Sequence, residues 1–129
     1  MTESLNKKVL IVEDEAPLRT AMADILVFEG FTVYQAKNGL EGLEIALEQH
    51  PDIILLDLMM PVMDGLTMLG KLRQDQTWGK DVGVILLTNI SDPEKIAQAT
   101  DAGSYDFLVK SDWSIEDVVK KIKARLNVA

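Results

Sequence analysis

Three carboxylates, a hydroxyl and an ammonium stand where apolar runs of this sequence end. Lys8–Val12 is followed by Glu13 and Asp14, and Ile53–Leu56 runs straight into Asp57. Val84–Leu87 ends in Thr88, and Phe107–Val109 ends in Lys110. Gathered on one rim, the three acids repel one another, and a divalent cation relieves that repulsion. Hard oxygen ligands (carboxylates, a loop carbonyl, water) suit Mg²⁺ or Mn²⁺, and Mg²⁺ keeps places for phosphate oxygens. A carboxylate, such a metal, a lysine and a hydroxyl donor are what phosphoryl transfer to a carboxylate requires. The nucleophile is already ionised, and the cations offset charge on the transferring oxygens.

A common rim for these residues needs parallel strands, and the pattern along the chain supplies them. Lys8–Val12, Thr32–Ala36, Ile53–Leu56, Val84–Leu87 and Phe107–Val109 read as strands. Continuous apolar runs mark parallel strands covered on both faces, and the half-polar Thr32–Ala36 is the edge candidate. Helical patterns lie between them. The first runs from about Ala16 to Glu29 and stops at Gly30; the second, after Asn38-Gly39, carries Leu40, Leu43, Ala46 and Leu47 on one face. The third carries Leu66, Leu69 and Leu72. The fourth opens with Pro93 in its first turn and ends at Gly103. The fifth opens with Ser114 and Asp117 at capping-box spacing, and Ile115, Val118, Val119, Ile122 and Leu126 form its apolar stripe. Its basic residues cluster late, where the helix dipole favours them. These elements predict an α/β, doubly wound (βα)5, flavodoxin-like domain over residues 7–127, after a tail at 1–6. The expected sheet is five-stranded and parallel, in the order 2-1-3-4-5. Such a sheet places chemistry outside the carboxyl ends of its strands, at the switch point between the first and third.

Composition removes several classes of function. The 129 residues include no cysteine, so there is no disulfide and no thiolate chemistry. The one histidine, His50, precedes Pro51 and reads as a helix-end residue. A His-based triad or zinc site needs more partners than that. A net charge of −8 and a pI near 4.5 argue against direct nucleic-acid binding and against an anionic membrane surface. The N-terminus lacks the apolar core of a signal peptide, and no apolar run approaches a membrane span. A cytoplasmic location is expected.

Four stretches, VLIVEDE, IILLDLMMPVMDG, VILLTN and FLVKS, occur in this order and at characteristic spacing. Together they resemble the response-regulator receiver domain, the CheY-like module of bacterial two-component signalling and phosphorelays, over about Lys7 to Leu126. The resemblance implies that Asp57 accepts a phosphoryl group from a phosphohistidine on a histidine kinase or a histidine phosphotransfer protein. It implies that Asp14 binds Mg²⁺ directly, that Glu13 acts second and often through water, and that the Met59 carbonyl is a further ligand. Lys110 is expected to contact the phosphoryl group. Thr88 is expected to swing toward it, with Phe107 turning inward behind. That movement alters the face of the fourth helix, fifth strand and fifth helix, where a downstream protein docks. Such a domain is a switch and not an enzyme with an outside substrate, although it assists its own phosphorylation and dephosphorylation. The chain as read stops soon after the fifth helix, as expected either of a stand-alone receiver or of one drawn from a longer protein.

Three departures from the family pattern bear on this reading. Ser111 follows Lys110 where the family usually has a proline with a cis peptide, so the loop is expected to be trans with a shifted lysine, or strained. Asn89 follows Thr88 where the family favours a very small residue, and its bulk is expected to narrow access for the donor. Met59 and Ile90 occupy the two rate-tuning positions, and neither orients a water; slow hydrolysis is expected, faster with a carboxamide or acid at Ile90.

Structural roles compete with these. Asp57 can cap a turn, Asp14 can cap the first helix as well as bind metal, and Glu13 can be a solvated strand end. Thr88 can be an ordinary strand residue, Lys110 a solvated lysine and Phe107 a core residue. Trp78 and Trp113 read as surface covering, and the methionines from Met59 to Met63 as loop packing. Other functions compete as well. A phosphatase of the haloacid dehalogenase type needs a second aspartate where Met59 stands. A flavodoxin-like cofactor site is disfavoured by the acidic EDEAP turn. A receiver-like docking module that is not phosphorylated is the remaining alternative.

Overall fold

The computed structural model describes residues 6–88, 106–109 and 114–127 together with positions 94, 97, 98 and 101; of Thr88 and residues 106–109 it describes the backbone. The strands are β1 (Lys8–Val12), β2 (Thr32–Ala36), β3 (Ile53–Asp57), β4 (Gly83–Thr88) and β5 (Asp106–Val109). They form one parallel sheet in the order β2-β1-β3-β4-β5, with the half-polar β2 at an edge, as expected. Helices α1 (Ala16–Phe28), α2 (Gly39–Gln49), α3 (Gly65–Arg73) and a last helix (Ile115–Leu126) follow β1, β2, β3 and β5. The helix expected between β4 and β5 falls mostly outside the described residues, as do Pro93 and Gly103. Glu94, Ala97, Gln98 and Asp101 are helical. No helix among the described residues is long and apolar enough to cross a membrane.

The continuous apolar strands follow from burial on both faces. Leu10, Val12, Ile54, Leu56, Val84 and Leu86 point to one side and pack with Ala46, Met68, Leu69 and Leu72 of α2 and α3. Val9, Ile11, Ile53, Leu55, Ile85 and Leu87 point to the other and pack with Met22, Ala23 and Leu26 of α1 and Val118 and Ile122 of the last helix. Period-two alternation feeds a separate core on each face.

Helix ends carry their own chemistry. Glu29 is the C-cap of α1, and Gly30 beyond it takes φ 103°, open to a residue without a β-carbon. His50 ends α2 in the left-handed region at φ 48°, as its place before Pro51 suggests. Its ring stacks on Trp78 with centroids 4.6 Å apart, so Trp78 does more than cover the surface. The Arg73 guanidinium closes α3 onto the following loop through the carbonyls of Gly79 and Val82, each at 2.8 Å. The capping box of the last helix forms as expected between Ser114 and Asp117, and Lys123 pairs with Glu29 of α1 at 2.7 Å. Val27 and Phe28, near the end of α1, lie on the surface, Phe28 with 71% of its area exposed.

One helix face differs from expectation. Leu40 and Leu47 of α2 are 44% and 43% exposed, whereas Gly39, Gly42 and Ala46 are buried. The cause is Gly42. A β-carbon there would lie 2.8 Å from one Val12 methyl and 2.9 Å from the other. The helix therefore settles backbone-first on β1, and its small residues form the contact with Leu43 packed beside them, while Leu40 and Leu47 stay outside.

Candidate metal and phosphoryl site

The sheet register brings two strand ends level. Val12 lies beside Leu56 and Asp57 beside Leu87, so Glu13 emerges at the height of Asp57. Thr88 lies one residue beyond Leu87 and pairs with Val109, which precedes Lys110. The backbone of β4 and β5 thus leads toward the same rim. The side chains of Thr88 and Phe107, and all of Asn89, Ile90, Lys110, Ser111 and Trp113, lie outside the described residues.

Glu13 is fully buried and not a solvated strand end. Its N–H extends the ladder by donating to Ala36 O at 3.0 Å, and its Oε2 accepts from the Glu15 N–H at 3.0 Å. The Arg19 guanidinium donates to the Glu13 carbonyl at 2.8 Å. Asp14 is exposed. It does not cap α1: Glu15 holds the N-cap position without a side-chain cap bond. The cause is local. The Glu13 carboxylate reaches the Glu15 amide, and Pro17 lacks an N–H to be capped.

Asp57 closes β3 with 2% of its area exposed, and its Oδ1 accepts from the Met59 N–H at 3.2 Å. The turn after it is tied by Leu58 N–H to Leu87 O at 3.3 Å and Gly65 N–H to Leu58 O at 3.0 Å. Asp64 caps α3 by accepting from the Thr67 N–H at 2.8 Å. Between them Met63 N–H donates to Pro61 O at 2.8 Å, closing a three-residue turn on Val62 at φ 69°. Gly39 N–H donates to Met63 O at 2.9 Å, fixing this loop to the start of α2. Met60 and Met63 pack against the core, as expected of loop methionines, but Met59 is 58% exposed.

Glu13, Asp14 and Asp57 each offer a carboxylate oxygen, and these atoms lie within 4.8 Å of one another. Oxygens around one Mg²⁺, at about 2.0–2.1 Å each, stand no more than about 4.2 Å apart. Small side-chain adjustments close that difference, and the donor set is the hard, all-oxygen kind the ion takes. Two buried acids and one exposed acid leave one side open to solvent and to a phosphate. Arg19, Gly65 and Val62 are the residues here that the strand-end reading passes over. Their signals are weak in sequence: an arginine one turn into a helix, a glycine after a cap, a valine between a proline and a methionine.

The response regulator receiver domain family matches the chain over residues 9–123. The chain is 32% identical over 119 residues to the DNA-binding dual master transcriptional regulator RpaA of Synechocystis, covering 92% of this chain and 48% of that protein. It is 35% identical over 122 residues to the transcriptional regulatory protein SrrA of Staphylococcus aureus, covering 95% and 48%. The chain therefore spans about half the length of these curated relatives. Among solved structures, the chemotaxis protein CheY4 of Vibrio cholerae superposes with a TM-score of 0.85 at 30% identity, covering 92% of this chain and 97% of that one. A CheY-like receiver domain protein of Methanospirillum hungatei superposes with a TM-score of 0.86 at 27% identity, covering 94% of each.

Proposed function

The chain belongs to the response regulator receiver domain family, and from that premise we propose that Asp57 is the phosphoacceptor of its two-component switch. The convergence of Glu13, Asp14 and Asp57 from two neighbouring strand ends carries this reading. An Asp57 carboxylate oxygen forms a bond to phosphorus as the P–N bond of the donor phosphohistidine breaks. The imidazole leaves with the bonding electrons. The Met59 N–H on Oδ1 orients the carboxylate, and burial strips it of water that would otherwise shield the nucleophile. Glu13, Asp14, Asp57 and the Met59 carbonyl would hold Mg²⁺, which when bound offsets charge on the phosphoryl oxygens. Lys110 adds a further positive charge there, and Thr88 a hydroxyl donor. Thr88 and Phe107 then relay the change to the face of β5 and its flanking helices.

The donor in this reading is a histidine kinase or a histidine phosphotransfer protein in the cytoplasm. A downstream protein reads the switched face. Catalysis is confined to the domain's own phosphorylation and dephosphorylation.

The test is intact mass after incubation with Mg²⁺ and acetyl phosphate, wild type beside Asp57→Asn. A single Mg²⁺-dependent phosphoryl adduct in the wild type alone is expected. Mg²⁺ binding with no adduct would point to the unphosphorylated docking module instead. An adduct on both proteins would remove Asp57 from the role.

A further inference from the structure

We propose that Arg19 is a positioning residue for the metal-binding loop, holding Glu13 and Asp14 in place without binding the metal itself. The inference rests on the metal reading of the acid cluster given above. Arg19 lies one turn into α1 and is half-buried. Its side-chain bond goes to the backbone carbonyl of Glu13 at 2.8 Å, and so takes up no carboxylate oxygen. Its own N–H donates to Glu15 O at 2.9 Å. Glu15 N–H in turn donates to the Glu13 carboxylate at 3.0 Å. Beside the backbone bonds to Ala36 and within α1 and the Glu15 N–H on the Glu13 carboxylate, the Arg19 guanidinium adds a side-chain tie at the point where the chain turns from β1 toward α1.

The same cation has a second, opposing effect. A fixed positive charge beside a divalent ion weakens its binding. The two effects have opposite signs, so deletion decides between them. The guanidinium is partly solvated, and screening by water cuts its repulsion of the ion. The hydrogen bond, by contrast, sets the path of the loop that bears two of the three acids. Positioning is the larger effect. Arginine suits the task because its charge is permanent and its planar fork is pre-organised, whereas lysine keeps the charge on a looser stem.

The test is calorimetric titration with Mg²⁺ of the wild type, Arg19→Met and Arg19→Lys, beside labelling by acetyl phosphate across Mg²⁺ concentrations. Arg19→Met is expected to weaken Mg²⁺ binding about tenfold, the scale on which groups that orient metal ligands act. Its labelling should demand more Mg²⁺ yet reach the wild-type plateau. Arg19→Lys should weaken binding about threefold, restoring part of the loss. Unchanged or tighter binding in Arg19→Met overturns the inference, since repulsion would then be the main effect. A lower plateau at unchanged affinity overturns it too. Should Arg19→Met fail to fold, Arg19→Lys decides, and wild-type affinity in that variant counts against the inference. A wild type that gives no Mg²⁺ heat at all removes the metal reading beneath it, a result distinct from a wild type that binds normally beside unaffected variants.

Discussion

Gly65 packs so tightly on the Asp57 carbonyl that a β-carbon at position 65 would overlap it. Leu58 Cα would lie 2.9 Å away and the Asp57 carbonyl carbon 3.0 Å. Every atom met is backbone, so nothing can swing aside. Gly65→Ala is expected to push the turn away from β3, costing about 2 kcal/mol of stability, as overpacking does. Urea midpoints check this. Because the displaced backbone carries the proposed phosphoacceptor, labelling of Asp57 should slow in the same variant.

Val62 bears strain at the surface. A β-branched residue at φ 69° is an outlier, and the three-residue turn it centres is a high-energy form. With 77% of its area exposed it gives little packing in return. Val62→Asn is expected to raise unfolding free energy by about 1 kcal/mol, since asparagine tolerates this region. An unchanged or lower urea midpoint would show that the turn holds no such strain.

Asp14 is the one exposed acid of the cluster, so its charge is the easiest to remove without disturbing the core. In EDTA, Asp14→Asn should raise the thermal midpoint, relieving repulsion worth up to about 1 kcal/mol. In millimolar Mg²⁺ the wild type should gain stability by mass action and the variant should gain little. Melting curves in the two buffers check both halves.

The capping box of the last helix predicts an acid-dependent loss. The Ser114 N–H, donating to the Asp117 carboxylate at 3.0 Å, holds the pKa of this group below its ordinary value of 3.8. A depressed pKa means that the unfolded chain binds the proton more readily. The stabilisation is therefore present above the ordinary value and disappears as the pH falls through the folded one. Asp117→Asn should be less stable than wild type at neutral pH, and the difference should shrink as the pH falls below the ordinary value of 3.8. Urea midpoints measured across that range check it.

Much of the fold can be read from the chain because its strands are short, apolar and buried on both faces. Lys8–Val12 and Thr32–Ala36 carry all the information needed to place them. Ile53–Leu56 carries it too, and Asp57 simply adds the last paired position to β3. The acid cluster is legible for the same reason, since parallel strands deliver their ends to one rim. What escapes the sequence depends on close approach. Leu40 and Leu47 look like a buried stripe until Gly42 lets α2 turn its glycines to β1. Asp14 looks like a cap until the Glu13 carboxylate reaches the Glu15 amide. The stack of His50 on Trp78 joins residues 28 positions apart with no local signal.

The exposed end of α1 has a colloidal consequence. At neutral pH a charge of −8 keeps copies of the chain apart, whatever Val27 and Phe28 present to solvent. Toward the pI of 4.5 that repulsion vanishes while the aromatic ring stays at the surface. Turbidity should therefore first appear near that pH, well before the acid loss of the last helix cap. Phe28→Ser should delay it.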